Sequence, residues 1–133
     1  MWDWHECHQH YHSFEVFSTY RVLDRNNNAV ATGHKASFCL EDAQCRYDIF
    51  PTFQCRDFGE QGISVGCIDV YKYDIDCQWV DMTDVQPGSY QLEIVVNPEK
   101  KVAELDYTNN RVICDIEYSA YQITTTGCKI EMN

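Results

Sequence analysis

The sequence predicts an all-β fold, a β-sandwich whose long loops are held together by disulfides. In several segments apolar residues recur at every second position, which is the period of a half-buried strand. No segment shows an apolar stripe of helical period. The chain also carries 8 cysteines among 133 residues, an even count typical of small disulfide-rich domains. This length matches one domain, so we expect a single domain over residues 1–133.

The alternation locates the strands and the turns between them. Asp24 to Asn28 is rich in turn-forming residues, and Pro87 with Gly88 marks a second turn. Between such signals the predicted strands are residues 14–22, 29–32, 90–96 and 112–118. Glu93 falls at a polar, outward position of its strand. Residues 40–76 lack a regular period, and we interpret them as long stapled loops.

Charge restricts the partners of this chain. Lys and Arg total 10 against 21 Asp and Glu, a formal net charge of −11. This balance argues against nucleic acid and anionic membranes, which attract basic surfaces, and favours a cationic partner or substrate. No apolar run approaches the roughly 20 residues of a membrane-spanning helix.

Cysteine usage points to an oxidising compartment, and we expect a secreted protein. No Cys-x-x-Cys pair occurs, which argues against a zinc-finger module. Met1 is followed by Trp2-Asp3-Trp4-His5 rather than by the basic and apolar regions of a signal peptide. We therefore expect a partial or processed chain. Eight cysteines allow about 105 pairings, so their pattern alone assigns none.

Histidines cluster at the start of the chain. In an extended segment His8, His10 and His12 point the same way, with successive side chains about 7 Å apart. Three imidazoles with an open fourth position are typical of a catalytic metal site, and they suit zinc or copper(II), which binds more tightly. The alternative is a solvated His-rich strand. His5 breaks the alternation, so we expect it behind the ligands or on the surface. His34 is left open between a structural and a functional role.

The same residues carry a resemblance to a known family. Trp2 to Ser13, with the sequence WDWHECHQHYHS, resembles the copper-binding region of lysyl oxidases. Three further blocks follow in the same order as in that family, namely residues 33–42, 74–79 and 106–110. The resemblance covers essentially the whole chain. It corresponds to about the C-terminal two thirds of the family's catalytic domain, so we expect an upstream segment to be missing.

The resemblance implies an enzyme with specific site residues. His8, His10 and His12 match the copper ligands, while Lys35 and Tyr71 match the residues that crosslink to form lysine tyrosylquinone (LTQ). The implied activity is that of a protein-lysine 6-oxidase, an oxidoreductase that converts primary amines to aldehydes and releases hydrogen peroxide and ammonia. The implied substrates are lysines of extracellular matrix proteins such as collagen and elastin.

The general base of this reaction is not set by any motif. Asp69 shares a face with Tyr71 in an extended segment, two residues away, and it is our candidate for the base. Asp74 and Asp76 are its rivals. The alternative for all three is a solvated loop carboxylate, and we favour that interpretation for at least two of them.

The resemblance also implies disulfides and a second metal. Its pairings are Cys7–Cys55, Cys39–Cys45, Cys67–Cys77 and Cys114–Cys128. Oxygen ligands for calcium match Glu104, Asp106, Asn109 and Asn110, a donor set that suits a hard cation. An Asp/Asn-rich turn without a metal explains the same residues.

Two functions therefore remain open at this point. The first is a copper- and quinone-dependent amine oxidase. The second is a non-catalytic or immature secreted metal-binding β-module. The presence of both Lys35 and Tyr71 beside the three histidines favours the first, whereas the expected loss of an upstream segment favours the second. Oligomeric state is not indicated by the sequence.

Overall fold

The prediction of an all-β fold with disulfide-stapled loops is confirmed. The computed structural model describes residues 2–33, 36–55, 61–72, 74 and 78–132. Throughout these residues the regular elements are strands. They are β1 (Asp3–His5), β2 (His10–His12), β3 (Phe14–Leu23), β4 (Ala29–Thr32), β5 (Ala36–Phe38), β6 (Gln44–Cys45), β7 (Cys67–Ile68), β8 (Gly88–Val96), β9 (Arg111–Tyr118) and β10 (Ile123–Glu131). The described residues contain no helix long and apolar enough to cross a membrane.

The chain divides into two compact units, residues 1–15 with 37–77 and residues 16–36 with 78–133. A single domain over the whole chain stays a prediction. The second unit is built on antiparallel strands in the order β10-β9-β8-β3-β4. All four predicted strands belong to this sheet. β10 escaped prediction because its nine residues are almost all exposed and show no apolar alternation.

A buried hydrophobic cluster of the second unit packs against one face of the sheet. Val22, Ala31, Val85 and Ile116 form this cluster. Gly33 bridges to Val80, and a Cβ at Gly33 would lie 2.8 Å from Cβ of Tyr20. Such a contact excludes any larger residue at that position, so the glycine permits this close approach of two backbones.

The prediction that Glu93 points outward is wrong. Its side chain is only 2% exposed, because arginines from the two neighbouring strands enclose it. Nε of Arg21 donates to its Oε1 at 2.5 Å and Nε of Arg111 donates to its Oε2 at 2.7 Å. Burial raises the pKa of Glu93, but the two guanidinium groups outweigh it and lower the pKa overall. The carboxylate is therefore buried as a paired anion.

The first unit contains the β1–β2 hairpin, the short β6–β7 pair and the loops around them. Asp42 organises these loops. Its carboxylate, 6% exposed, accepts hydrogen bonds from the backbone N–H groups of Thr52, Phe53 and Ser64 and from the Ser64 hydroxyl. Burial raises the pKa of Asp42, yet these donors lower it to about 2. The Asp42 carboxylate thus accepts backbone N–H groups of irregular loops, where no neighbouring strand supplies acceptors.

Three of the expected disulfides are wrong and one is confirmed. Cys114–Cys128 joins β9 and β10 as predicted. Cys39 pairs with Cys55 and Cys45 pairs with Cys67, which excludes Cys7–Cys55, Cys39–Cys45 and Cys67–Cys77. The reason is strand register: Cys45 and Cys67 are direct cross-strand partners in the β6–β7 pair, with Cα atoms 4.0 Å apart. Cys7 is also disulfide-bonded, whereas Cys77 lies outside the described residues.

Candidate metal centre

A β-hairpin brings the histidines together. β1 and β2 pair antiparallel with Asp3 opposite His12, Trp4 opposite Tyr11 and His5 opposite His10. Residues 6–9 form the turn, in which the N–H of Gln9 donates to the carbonyl of His5 at 2.8 Å. Gln9 has a φ of 55°, the left-handed conformation that lets so short a connection close.

The hairpin explains the histidine cluster better than the extended strand that we expected. His8 lies in the turn and reaches the cluster from there, while His10 and His12 share one face of β2. His5 pairs directly with His10, and such cross-strand partners point to the same face. The alternation argument that set His5 apart therefore fails, because the turn resets the register.

Ring nitrogens of His10 and His8 both approach the same nitrogen of His12. Nε2 of His12 lies 3.0 Å from Nε2 of His10 and 3.3 Å from Nδ1 of His8. Two imidazoles that each bind one ion at about 2.0–2.1 Å in a tetrahedral or square arrangement have nitrogens about 3 Å apart. The observed separations fit that requirement. The donor set, imidazole without free thiolate, suits copper(II) or zinc.

Two histidines of the cluster, His12 and His5, have lowered pKa values. His12 is 5% exposed, and burial together with repulsion from His5, His10 and His8 lowers its pKa to about 4. The pKa of His5 is lowered as well, chiefly by burial. A neutral imidazole has the lone pair that a metal requires, so His12 is ready to bind at neutral pH without first losing a proton.

The hairpin is anchored to the loops of the same unit. The hydroxyl of Ser13 donates to Oε1 of Gln61 at 2.5 Å, and the N–H of Leu40 donates to the same oxygen at 3.4 Å. The N–H of Ser13 also donates to the carbonyl of Phe38 at 3.3 Å. These bonds fix the residue that follows the last histidine, so the end of β2 is held in place.

The two residues expected to form the quinone have different outcomes. Tyr71 is 39% exposed, and its ring centroid lies 6.1 Å from that of Phe38. Lys35 and His34 lie outside the described residues. A crosslink between Lys35 and Tyr71 therefore stays a prediction.

Among the candidate bases, Asp69 stands out. Its Oδ2 accepts the backbone N–H of Glu41 at 3.0 Å, and its side chain is partly buried. Burial is the main cause of a raised pKa, and the charges of Glu41 and Asp42 add to it. Asp74 is exposed, and Asp76 lies outside the described residues. A raised pKa suits a carboxylate for proton abstraction, although a base role for Asp69 stays a prediction.

The expected calcium ligands lie in the loop between β8 and β9. Oε1 of Glu104 accepts hydrogen bonds from the side-chain amides of Asn97 and Asn110. Oδ1 of Asp106 accepts both the N–H and the hydroxyl of Thr108, at 2.8 and 2.7 Å. These bonds match the turn interpretation. Calcium binding stays a prediction. Asn109, the remaining expected ligand, lies in the same loop.

A second group of candidate metal ligands, Asp42 with Cys45 and Cys67, does not fit a metal. The two cysteines form a disulfide, whose sulfurs are no longer thiolates. Asp42 is also engaged by four hydrogen-bond donors.

Two structural roles were missed by sequence reasoning. His5 joins the imidazole cluster, which the repeated histidines around a short turn could have indicated. Asp42 holds the loops together, and no signal in the sequence distinguishes it from any other loop aspartate.

Comparison with known proteins agrees with the resemblance. The family model described as lysyl oxidase matches residues 1–128. Lysyl oxidase homolog 3 from Homo sapiens is 54% identical over 97% of this chain. Homolog 2A from Danio rerio is 57% identical and homolog 2 from Xenopus tropicalis 55% identical, each again over 97% of the chain. The chain spans only 17–18% of the length of these relatives. With a family model matched over nearly its whole length, the chain belongs to the lysyl oxidase family.

Proposed function

We propose that this chain carries the metal centre of a copper-dependent amine oxidase that converts peptidyl-lysine amines to aldehydes, releasing hydrogen peroxide and ammonia. The approach of His8 and His10 to the same ring nitrogen of His12, within one hairpin, carries the proposal. Family membership supports the reaction class. Copper and LTQ are the proposed cofactors, with LTQ formed from Lys35 and Tyr71.

The donor chemistry fits this assignment. The nitrogen separations of 3.0 and 3.3 Å suit ligands of one ion, and the lowered pKa of His12 keeps a ring neutral for binding. Copper with the quinone supplies oxidation by dioxygen and an electron sink for the amine carbon.

The remaining roles fall to side chains of the first unit. Tyr71 is accessible enough, at 39% exposure, to meet an amine that arrives from solvent. Asp69 lies two residues away and is our proposed general base, because partial burial raises its pKa toward the range in which a carboxylate accepts a proton at neutral pH. The backbone N–H of Glu41 holds one oxygen of Asp69 and so limits its rotation.

The charge of the chain supports a cationic substrate. At −11, the protein attracts lysine-rich matrix proteins of the collagen and elastin kind, and its disulfides suit extracellular space. The residues Glu104, Asp106, Asn109 and Asn110 are proposed to bind calcium in the loop after β8.

Amine-dependent release of hydrogen peroxide after incubation with copper and oxygen tests the proposal. Lys35→Arg and Tyr71→Phe each remove one precursor of the quinone, so we expect both to abolish release. Lys129→Arg and Tyr47→Phe are matched controls at exposed positions, and we expect them to keep full activity. Peptide mapping by mass spectrometry should show Lys35 joined to Tyr71 only in active protein. Full activity in either Lys35→Arg or Tyr71→Phe would overturn the quinone assignment.

A metal-binding module without catalysis is the second candidate. It is favoured by the local construction of the cluster, since the imidazoles that contact one another lie within residues 5–12 and require no quinone. This candidate predicts copper binding with Lys35 and Tyr71 recovered as separate, unmodified peptides. Metal content alone does not separate the two candidates, whereas the crosslink does.

A further inference from the structure

His5 lies against the proposed ligands in a manner that differs from theirs. Its ring centroid is 4.3 Å from that of His8 and 4.4 Å from that of His12, with the ring planes inclined by only 27° and 22°. By contrast, the planes of His8 and His12 are inclined by 49° and those of His10 and His12 by 44°. His5 is therefore stacked on two of the imidazoles, and the other three are tilted toward one another.

Stacking decides whether His5 can share their metal. Distance alone permits it, because ring nitrogens of His5, His8 and His12 all lie within 4.8 Å of one another. A nitrogen lone pair, however, lies in the plane of its ring. In rings stacked nearly face to face the lone pairs lie in separate, nearly parallel planes, so they are poorly directed toward one common ion. The orientation thus removes His5 from the ligand set that proximity alone suggests.

His5 also makes a specific polar contact. Its Nδ1 accepts the backbone N–H of His8 at 3.2 Å, within the turn that places His8. Accepting at Nδ1 requires the proton of the neutral ring to be on Nε2. One side chain therefore holds the backbone of one proposed ligand and covers the ring faces of two.

We propose that His5 is a positioning residue of the metal centre: it orders His8 and His12 by stacking and by its hydrogen bond to the turn, and it does not bind the ion. This inference rests on the proposed metal site. It extends a general property of metal centres, in which residues behind the ligands orient them and their loss lowers metal affinity about 10- to 100-fold.

Two substitutions separate the contacts of His5. His5→Phe keeps a ring for stacking but lacks the acceptor, whereas His5→Asn keeps a short polar acceptor but lacks the ring. Trp4→Tyr serves as the control, because Trp4 contacts Tyr11 on the opposite face of the hairpin and the substitution keeps an aromatic ring there.

The first readout is amide hydrogen exchange in the metal-free chain. We expect the His8 amide to be protected in the wild type and in Trp4→Tyr, to exchange at least 10-fold faster in His5→Phe, and to recover part of its protection in His5→Asn. Equal exchange at His8 in all four proteins would overturn the hydrogen-bond role.

The second readout is copper(II) binding, measured by chelator competition, with the number of coordinated nitrogens taken from electron paramagnetic resonance. We expect both His5 variants to bind about 10- to 100-fold more weakly than the wild type with the same number of nitrogens. Loss of one nitrogen would make His5 a ligand, and unchanged affinity in both variants would remove its positioning role. If the wild type itself binds neither copper nor zinc while His8 exchange responds as expected, the proposed function fails and the contact of His5 with the turn stands.

Discussion

Acidification of the metal-free chain tests the burial of His12 directly, because the folded chain binds a proton at His12 more weakly than the unfolded chain does. His12 has a pKa lowered from 6.5 to about 4, first by burial and then by repulsion from His5, His10 and His8. Between pH 6.5 and pH 4, His12 binds a proton in the unfolded chain but not in the folded chain. The contribution of His12 to the free energy of unfolding is therefore fully present above pH 6.5, and it is lost as the pH falls toward 4.

The size of the effect follows from the two pKa values. At about 1.4 kcal/mol per pKa unit, the full difference is roughly 3 kcal/mol, of which about 2 kcal/mol is lost between pH 7.5 and pH 5. Because the neighbouring imidazoles of His5, His8 and His10 are only partly buried, water screens their repulsion. We therefore expect a loss of about 1–2 kcal/mol attributable to His12.

The measurement is urea unfolding in the presence of a chelator at pH 7.5 and pH 5, with His12→Asn as the comparison. The pH-dependent loss should be smaller in His12→Asn by about 1–2 kcal/mol, and NMR titration of the wild type should place the His12 transition well below 6.5. A His12 ring that titrates near 6.5, or an equal loss of stability in both proteins, would refute the lowered pKa of His12 and its cause.

Three further predictions concern the sheet of the second unit, the hairpin turn and the loops of the first unit. Glu93→Gln should lower the free energy of unfolding by about 3 kcal/mol in urea titration, which is the low end for a broken buried ion pair because Arg21 is 49% exposed and can hydrate. The control, Glu117→Gln at an exposed position, should change the free energy of unfolding by under about 0.5 kcal/mol. A similar effect of both substitutions would contradict the buried role of Glu93. Gln9→Gly should leave copper affinity intact. Gln9→Val should weaken copper binding and lower the free energy of unfolding by about 1–2 kcal/mol, because residue 9 has a φ of 55°. Equal copper affinity of the two variants would mean that the turn does not position the metal ligands. Asp42→Asn should speed proteolysis of the surrounding loops, since an amide group cannot accept at both positions as the carboxylate does; unchanged cleavage rates would argue against its organising role.

Prediction from sequence succeeded where the signal was local. The strands 14–22, 29–32, 90–96 and 112–118 were found because alternation along one strand reports which face is buried. The same reasoning failed at Glu93, whose burial depends on Arg21 and Arg111 from neighbouring strands. An alternating pattern predicts that its polar residues are exposed, because it contains no information about charged partners on neighbouring strands.

The histidine cluster shows the same division. The sequence identified His8, His10 and His12 as candidate ligands from their residue type and spacing. It did not reveal that the chain reverses at residues 6–9, which brings His8 in from a turn and stacks His5 on the cluster. The reversal brings His5 and His8 to His12, whereas His10 and His12 meet because they share one face of β2.

By itself the sequence determined the all-β class, the family and the types of side chain available for metal chemistry. These depend on composition and on periods of a few residues, which the local backbone geometry fixes. The tertiary structure decided which cysteines pair, which acidic residues are buried and which histidines face one another. Those outcomes depend on cross-strand register and on loop closure between residues far apart in the chain, as in the β6–β7 register that sets Cys45 opposite Cys67.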